Sequence, residues 1–168
     1  MRTLIVARHA KAEPASADGR DHGRALSLKG RKAASTLGTA LVSRDITPDV
    51  VLVSDALRTQ QTWQILSQGW DEPEVNVRAE LYNATVGSLH KALTEITPEA
   101  MCVMYVGHEP TASATVAFLA NAESNQKAMK RAAHGLQTGT AAIFTFDGEW
   151  SDLGPRSAQL VEIVGRGD

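Results

Sequence analysis

The sequence predicts an α/β fold, in which a mainly parallel sheet is flanked by helices on both faces. Short apolar runs alternate with segments of helical periodicity along the whole chain, and this alternation is typical of parallel sheets. Three runs, 4–7, 50–53 and 101–106, are apolar throughout, as expected of strands buried on both faces. At 168 residues, without an internal repeat or a linker, the chain is predicted to form a single domain over residues 1–168.

The first half of the chain predicts two strand and helix units. The strand at 4–7 precedes a polar loop at 13–24 and a helix that Ser27 caps and that ends near residue 43. The strand at 50–53 precedes Ser54 and Asp55, which are good capping residues, and a helix over 56–68. This order of elements begins the parallel sheet.

The second half of the chain continues the pattern and closes the sheet. It predicts a short strand at 75–77, a helix at 86–96, the strand at 101–106, a helix from Pro110 to 121, a weaker helix to 134, and strands at 141–146 and 159–164. The last two strands are joined by a connection that contains Gly and Pro. We expect this pair to include an antiparallel member.

Composition restricts the partners and the location of the protein. With 43% hydrophobic residues, 21% charged residues and a net charge of −2, the chain offers no electrostatic basis for binding nucleic acid or an anionic membrane. No run approaches the ~18 apolar residues of a membrane span, and the start of the chain lacks a signal-peptide layout. The only cysteine, Cys102, cannot form an internal disulfide. We therefore expect a cytoplasmic protein.

Chemically active side chains follow three of the predicted strands. Arg8 and His9 come after the first strand, Arg58 lies just beyond the second, and His108 follows the run at 101–106. The carboxyl ends of parallel strands share one edge of the sheet, which is where open α/β sheets bind ligands. The sequence therefore predicts that these four side chains gather at one site.

Arg58 suggests what this site binds. A cation in the first turn of a helix opposes the helix dipole by about 0.3 to 1 kcal/mol, unless an anion lies beside it. The alternative is that Arg58 points to solvent. Together with Arg8, it favours an anion site.

The two histidines leave two further alternatives. His108 precedes a helix, where it could be a half-buried structural histidine, and His9 and His108 could instead bind a metal ion. No metal-binding spacing is present, and two arginines would repel a divalent cation. Guanidinium groups bind phosphate in a bidentate way and imidazole can attack phosphorus, so the set suits a tetrahedral oxyanion. The other histidines, His22, His90 and His134, are expected at the surface.

Three motifs in this order resemble the histidine phosphatase superfamily. They are Arg8-His9-Ala10, the segment from Ser54 to Thr62, and Gly107-His108-Glu109-Pro110. Further segments are similar to its SixA-type phosphohistidine phosphatase branch. These are the stretches 21–27, 80–84, 138–139 and 146–148, together with the shortness of the chain.

The resemblance implies a phosphoglycerate mutase-like fold and a set of roles. His9 would be the transiently phosphorylated nucleophile, and Arg8, Arg58 and His108 would hold the phosphoryl oxygens without a metal or cofactor. Ala25 stands where the family usually has proline, which we interpret as a structural change. The chain also has no room for the lid that carries a proton donor in larger members. Glu80 is a possible proton donor in its place, with Glu109 as the second candidate.

The function expected from this resemblance is a metal-independent phosphohydrolase that acts through a phosphohistidine intermediate. Its substrate would be phosphohistidine in a protein. One alternative is a phosphatase for a small phosphate ester. A second is a non-catalytic phosphate-binding domain, against which the intact set of Arg8, His9, Arg58 and His108 argues.

Overall fold

Six strands form one twisted sheet in the computed structural model, which describes residues 1–166. The strands are β1 (Arg2–Arg8), β2 (Val50–Ser54), β3 (Glu74–Arg78), β4 (Cys102–Gly107), β5 (Ala141–Phe146) and β6 (Gln159–Val164). Their order is β3-β2-β4-β1-β5-β6, and the first four are parallel to one another. Of these six strands, β5 alone runs in the opposite direction, so it is antiparallel to both β1 and β6. The predicted parallel sheet with an antiparallel member is confirmed.

Five α-helices in the described part of the chain cover the two faces of this sheet. They are α1 (Leu28–Val42), α2 (Leu57–Leu66), α3 (Val86–Thr94), α4 (Thr111–Leu119) and α5 (Gln126–Ala132). One core cluster packs α1 and α2 against one face, and another packs α3, α4 and α5 against the other. Residues of β1 alternate between the two clusters, with Leu4 and Val6 in one and Ile5 and Ala7 in the other. The central strand is therefore buried on both sides, as its apolar sequence predicts.

The caps of α1 and α2 differ from each other in a way that matters for the site. Ser27 caps α1 as predicted, because its Oγ accepts a hydrogen bond from the Gly30 N–H at 3.0 Å. The predicted capping by Ser54 and Asp55 is wrong, because α2 begins after Ala56 and its N-cap has no side-chain hydrogen bond. Ser54 is the last residue of β2. Its hydroxyl is thus available to the strand-end face.

The segment after β1 is held against the start of α1 by a close backbone contact. The Lys11 carbonyl oxygen accepts a hydrogen bond from the Ser27 N–H at 2.9 Å. A Cβ atom placed on Gly30 would lie 2.0 Å from this same oxygen. Because only glycine leaves room here, Gly30 fixes the path of the chain that leaves His9.

The remaining expectations concern membrane spans and the number of domains. No helix within residues 1–166 is long and apolar enough to cross a membrane. The single domain predicted over residues 1–168 stays a prediction.

Replacing Gly30 with alanine should destabilise the protein. The added methyl group would displace the Lys11 backbone, and overpacking of this kind costs about 1–3 kcal/mol. Gly87→Ala is the matched control, since Gly87 also lies in the first turn of a helix and its nearest neighbour is 3.8 Å away. Urea unfolding should give a lower free energy of unfolding for Gly30→Ala alone. Equal stability of the two variants would contradict the close approach.

Candidate active site

The structure brings Arg8, His9, Arg58 and His108 together at the carboxyl ends of β1, β2 and β4. Arg8 lies opposite Gly107 in the parallel ladder, so His9 and His108 leave adjacent strands side by side. The His9 N–H donates to the Gly107 carbonyl at 2.9 Å, and the two imidazole centroids are 5.3 Å apart. The predicted gathering at one sheet edge follows from strand register.

The His9 ring is held in one orientation with one nitrogen directed at Arg58. Its Nδ1 lies 2.7 Å from the Ala10 carbonyl oxygen, an acceptor only, so Nδ1 carries the proton. Nε2 is then the nitrogen with the free electron pair, and it accepts a hydrogen bond from Arg58 Nε at 3.3 Å. Burial, with smaller contributions from Arg58 and Arg8, lowers the pKa of His9 to about 4. At neutral pH this imidazole is therefore an uncharged nucleophile.

Arg58 is buried, so the alternative that it points to solvent is wrong. It lies in the first turn of α2 and is only 7% exposed. Its guanidinium donates to the Asp21 carbonyl at 2.9 Å and to the Asp21 carboxylate at 3.1 Å. An anion thus does lie beside this helix start, as the dipole argument requires.

Asp21 is the most important site residue that the sequence analysis did not single out. Its carboxylate accepts hydrogen bonds from the Tyr82 hydroxyl, from Arg24 at 2.8 Å and from Arg58. The bonds from Tyr82 and Arg24, together with the nearby Arg58 charge, hold the pKa of Asp21 well below its usual range. The hydrogen bond between Tyr82 and Asp21 also raises the pKa of the Tyr82 hydroxyl. Asp21 is therefore a fixed negative charge that orients Arg58.

His108 presents an unpaired N–H to the centre of the site. Its Nε2 lies 2.8 Å from Ser54 Oγ, and that oxygen already accepts from the Ala56 N–H at 3.3 Å. The Ser54 hydroxyl is fully buried, and no other acceptor for its hydrogen occurs within residues 1–166. It therefore donates to Nε2, which leaves the proton of the neutral ring on Nδ1. This Nδ1 is buried and has no hydrogen-bond partner within residues 1–166. Burial, followed by the influence of His9 and Arg58, lowers the pKa of His108 to about 3.

Arg8 supplies the second unpaired donor of the site, after His108. One terminal nitrogen of its guanidinium donates to the Leu136 carbonyl at 2.8 Å, which fixes the direction of the side chain. Its Nε is buried and finds no hydrogen-bond partner in the described part of the chain. A buried unpaired donor costs about 1–3 kcal/mol, so such groups are retained where a ligand satisfies them. Arg8 Nε and His108 Nδ1 both suit an oxyanion.

The site offers little to a divalent cation. Within residues 1–166, no group of three or more His, Cys, Asp and Glu side chains is placed to hold a metal ion. Two guanidinium groups flank His9, and both lower its pKa. The charge of the site therefore favours anions.

The two candidate proton donors lie in different surroundings. Glu80 is exposed, and its ion pair is with Arg78 at 4.0 Å; no hydrogen bond or ion pair within residues 1–166 joins it to His9 or His108. Its role stays a prediction. Glu109 accepts hydrogen bonds from the Ser113 and Leu136 N–H groups at 3.0 and 2.9 Å. That carboxylate fastens α4 to the loop that positions Arg8.

The remaining histidines only partly follow their predicted surface positions. His134 is exposed, and half-buried His90 contacts the Leu153 carbonyl oxygen at 2.6 Å. His22 is also half-buried, but it lies at the rim of the site. Its ring pairs with Asp55 at 2.8 Å and meets the edge of Tyr82 at a centroid distance of 4.9 Å.

A groove of about 380 Å³ opens beside His108. Its walls are residues 82–86 on one side and 108–111 on the other, and Tyr82 contacts the His108 ring edge-on at 5.5 Å between centroids. A groove of this size accepts a side chain or a small organic group. One of the four residues of the site, His108, thus forms part of its wall.

Comparison with known proteins identifies the family. The family model described as "Histidine phosphatase superfamily (branch 1)" matches residues 4–142 of this chain. The chain belongs to the histidine phosphatase superfamily. The match includes all four residues that the strand ends bring together, and membership supports phosphatase activity.

The similarity of this chain to several known proteins extends over nearly its whole length. An uncharacterized protein of Mycobacterium tuberculosis (strain H37Rv) is 33% identical over 156 residues, covering 92% of this chain and 96% of the relative. A structure named "Putative Phosphohistidine Phosphatase SixA" from Nakamurella multipartitia is 32% identical, with a TM-score of 0.86 and coverage of 97% and 95% of the two chains. One of the same description from Agrobacterium tumefaciens is 25% identical, with a TM-score of 0.80 and 98% coverage of both. The resemblance to the SixA-type branch is confirmed.

The protonation of the two site histidines should make the protein acid-sensitive. The unfolded chain takes up protons on both near pH 6.5, whereas the folded protein does so only near their lowered pKa values of about 4 and 3. Stability is then fully present above about pH 6.5 and is lost as pH falls toward 4. NMR titration of the imidazoles should show both rings uncharged at pH 6.

A His9→Asn variant provides the control for this prediction. It removes one of the two linked protonations, so it should lose less unfolding free energy between pH 7 and pH 5 than the parent protein. Titration of either site histidine at pH 6 or above in the ligand-free protein would contradict the account.

Proposed function

We propose that this protein is a metal-independent phosphohydrolase that transfers a phosphoryl group to His9 and then to water. The observation that carries the proposal is the arrangement of unpaired groups. The buried donors Arg8 Nε and His108 Nδ1 lack partners in the described chain, while His9 Nε2 keeps an electron pair beside Arg58. Donors for an oxyanion and a nucleophile for its central atom therefore occur together.

In the first step His9 Nε2 attacks phosphorus and the bond to the leaving group breaks. Arg8, Arg58 and His108 contact the phosphoryl oxygens and stabilise the charge that spreads over them. The attacking ring becomes positively charged, and the Ala10 carbonyl stabilises this charge because it accepts a hydrogen bond from the Nδ1–H at 2.7 Å. The leaving group takes a proton from solvent or from Glu80.

In the second step water attacks phosphorus and the bond to Nε2 breaks. Because Nδ1 keeps its proton throughout, the electron pair returns to Nε2 and restores the neutral ring without a proton transfer to His9. The water gives up its proton to solvent, and phosphate leaves. One orientation of the ring therefore serves both steps.

The substrate we propose is phosphohistidine in a protein. The groove beside His108 is open to solvent along residues 82–86, so a side chain on a folded partner can reach it. A protonated imidazole leaves easily, which suits a site whose candidate acid Glu80 is exposed. The names of the Nakamurella and Agrobacterium structures agree with this substrate. The cytoplasmic location expected from the sequence stays a prediction.

The phosphoenzyme provides the test of the chemistry. Brief mixing with a labelled phosphohistidine protein or aryl phosphate, followed by denaturation, should give a phosphoprotein that is labile in acid and stable in base. His9→Ala should abolish this label, whereas His134→Ala, a change at an exposed histidine, should keep it. Arg58→Ala should weaken transition-state stabilisation by about 2–4 kcal/mol, and kcat/KM should fall accordingly. Label that persists in His9→Ala would refute the assignment, and a wild-type protein without turnover would favour the non-catalytic alternative.

A kinetic comparison tests the substrate class. We expect kcat/KM to be higher for phosphohistidine proteins and aryl phosphates than for alkyl phosphates, because only the latter need strong protonation of the leaving oxygen. Glu80→Gln should cost less than ~10-fold on the former. A kcat/KM for an alkyl phosphate metabolite well above that for a phosphohistidine protein would favour the small-ester alternative.

A further inference from the structure

The outer edge of β3 has backbone groups directed away from the sheet. β3 is the terminal strand, and within residues 1–166 it pairs only with β2. The Glu74 N–H donates to the Asp49 carbonyl at 2.9 Å, so the backbone of Glu74 faces β2. Backbone direction alternates along a strand. The N–H and C=O groups of Val75 and Val77 therefore point outward.

At the opposite edge of the sheet, backbone groups of β6 have hydrogen-bond partners. Along β6, the Leu160 carbonyl accepts the Asn125 N–H at 2.8 Å, and its N–H donates to Ser124 Oγ at 3.0 Å. The guanidinium of Arg131 donates to the Ile163 carbonyl at 2.8 Å. Side chains and loops thus cover the β6 edge.

Between the charged residues at its two ends, the β3 edge has no feature that blocks pairing with another strand. Its sequence, Glu-Val-Asn-Val-Arg, contains no proline and no lysine. Val75 and Val77 are 40% and 49% exposed on the same face of the strand. Free edges with apolar side chains pair with other strands unless something prevents it.

The sequence of β3 is complementary to itself in an antiparallel arrangement. With Asn76 on a twofold axis, Glu74 lies opposite Arg78 of a second copy, and Val75 lies opposite Val77. Directly opposed residues share a face of the sheet, so each glutamate meets an arginine. The valine pairs are the ones whose backbone groups point outward, so they exchange both N–H and C=O hydrogen bonds.

We propose that β3 is a dimer interface, at which two copies of this chain pair antiparallel about Asn76. The two sheets become one continuous sheet, and ion pairs between Glu74 and Arg78 set the register. The symmetry of a twofold interface requires a self-complementary patch, and β3 supplies one in charge, apolar contact and hydrogen bonding. β3 contains none of Arg8, His9, Arg58 and His108, so the inference does not rest on the proposed function.

The test is the mass of the full chain in solution, measured by light scattering and sedimentation from micromolar to millimolar concentration. The chain should pass from 18.0 kDa to twice that mass as concentration rises. Glu74→Arg sets arginines against each other and Arg78→Glu sets glutamates against each other, so either change should leave a monomer. The double change restores opposite charges and should restore the dimer.

Lys91→Glu is the matched control, because it reverses one charge on the exposed face of α3, where the side chain is 78% exposed. It should leave the dimer intact, and circular dichroism should show the same fold for all variants. A wild-type chain that stays at 18.0 kDa at every concentration overturns the proposal. So does a dimer that survives both single changes, or one that the double change does not restore.

Discussion

The parallel pairing of β1 with β4 determines where chemistry can occur in this chain. It places Arg8 opposite Gly107, and the next residue of each strand is a histidine. The backbone of His9 is fixed on both sides, since its N–H donates to Gly107 and its carbonyl accepts from Gly139 at 3.0 Å. Any Cβ on Gly107 would lie 1.8 Å from the Tyr105 hydroxyl. If β1 and β4 paired one residue out of this register, the two rings would no longer lie side by side, and the side chains of the shifted strand would face the opposite side of the sheet.

The second constraint is electrostatic. Arg8 and Arg58 place positive charge around imidazoles that burial already keeps neutral, so both rings stay uncharged at neutral pH. Asp21 offsets part of the positive charge and holds Arg58 through its carboxylate and its carbonyl. The site is thus prepared for an anion, and its nucleophile needs no deprotonation. Burial at the strand-end face thus keeps the imidazoles uncharged, and the two arginines supply the positive charge.

Much of the fold was predictable because strand signals here are local. The runs at 141–146 and 159–164 match β5 and β6 at both ends, and Ser27 caps α1 as its sequence context indicates. The gathering of the four site residues was predictable because parallel topology and strand ends suffice to bring them together. The resemblance of the motifs to a known family supplied their expected roles.

The rest depends on tertiary contacts between distant positions. Asp21 meets Arg58 across 37 positions, and Ser54 meets His108 across 54, so no local pattern marks either pair. Ser54 resembles a cap from its sequence, but β2 continues through it and places its hydroxyl in the site. Asp21 opens the stretch 21–27 that resembles the SixA-type branch, but that resemblance gave it no role, and a carboxylate in a loop is common.

The central claim is that the Ala10 carbonyl fixes the His9 ring so that Nε2 is the nucleophile. The most direct measurement is ¹H–³¹P correlation NMR on the phosphoenzyme, trapped under alkaline conditions with the imidazole nitrogens labelled. The account predicts a single phosphorus bonded to Nε2 of His9, with the proton still on Nδ1. Phosphorus on Nδ1 of His9, or on any other residue, would contradict it.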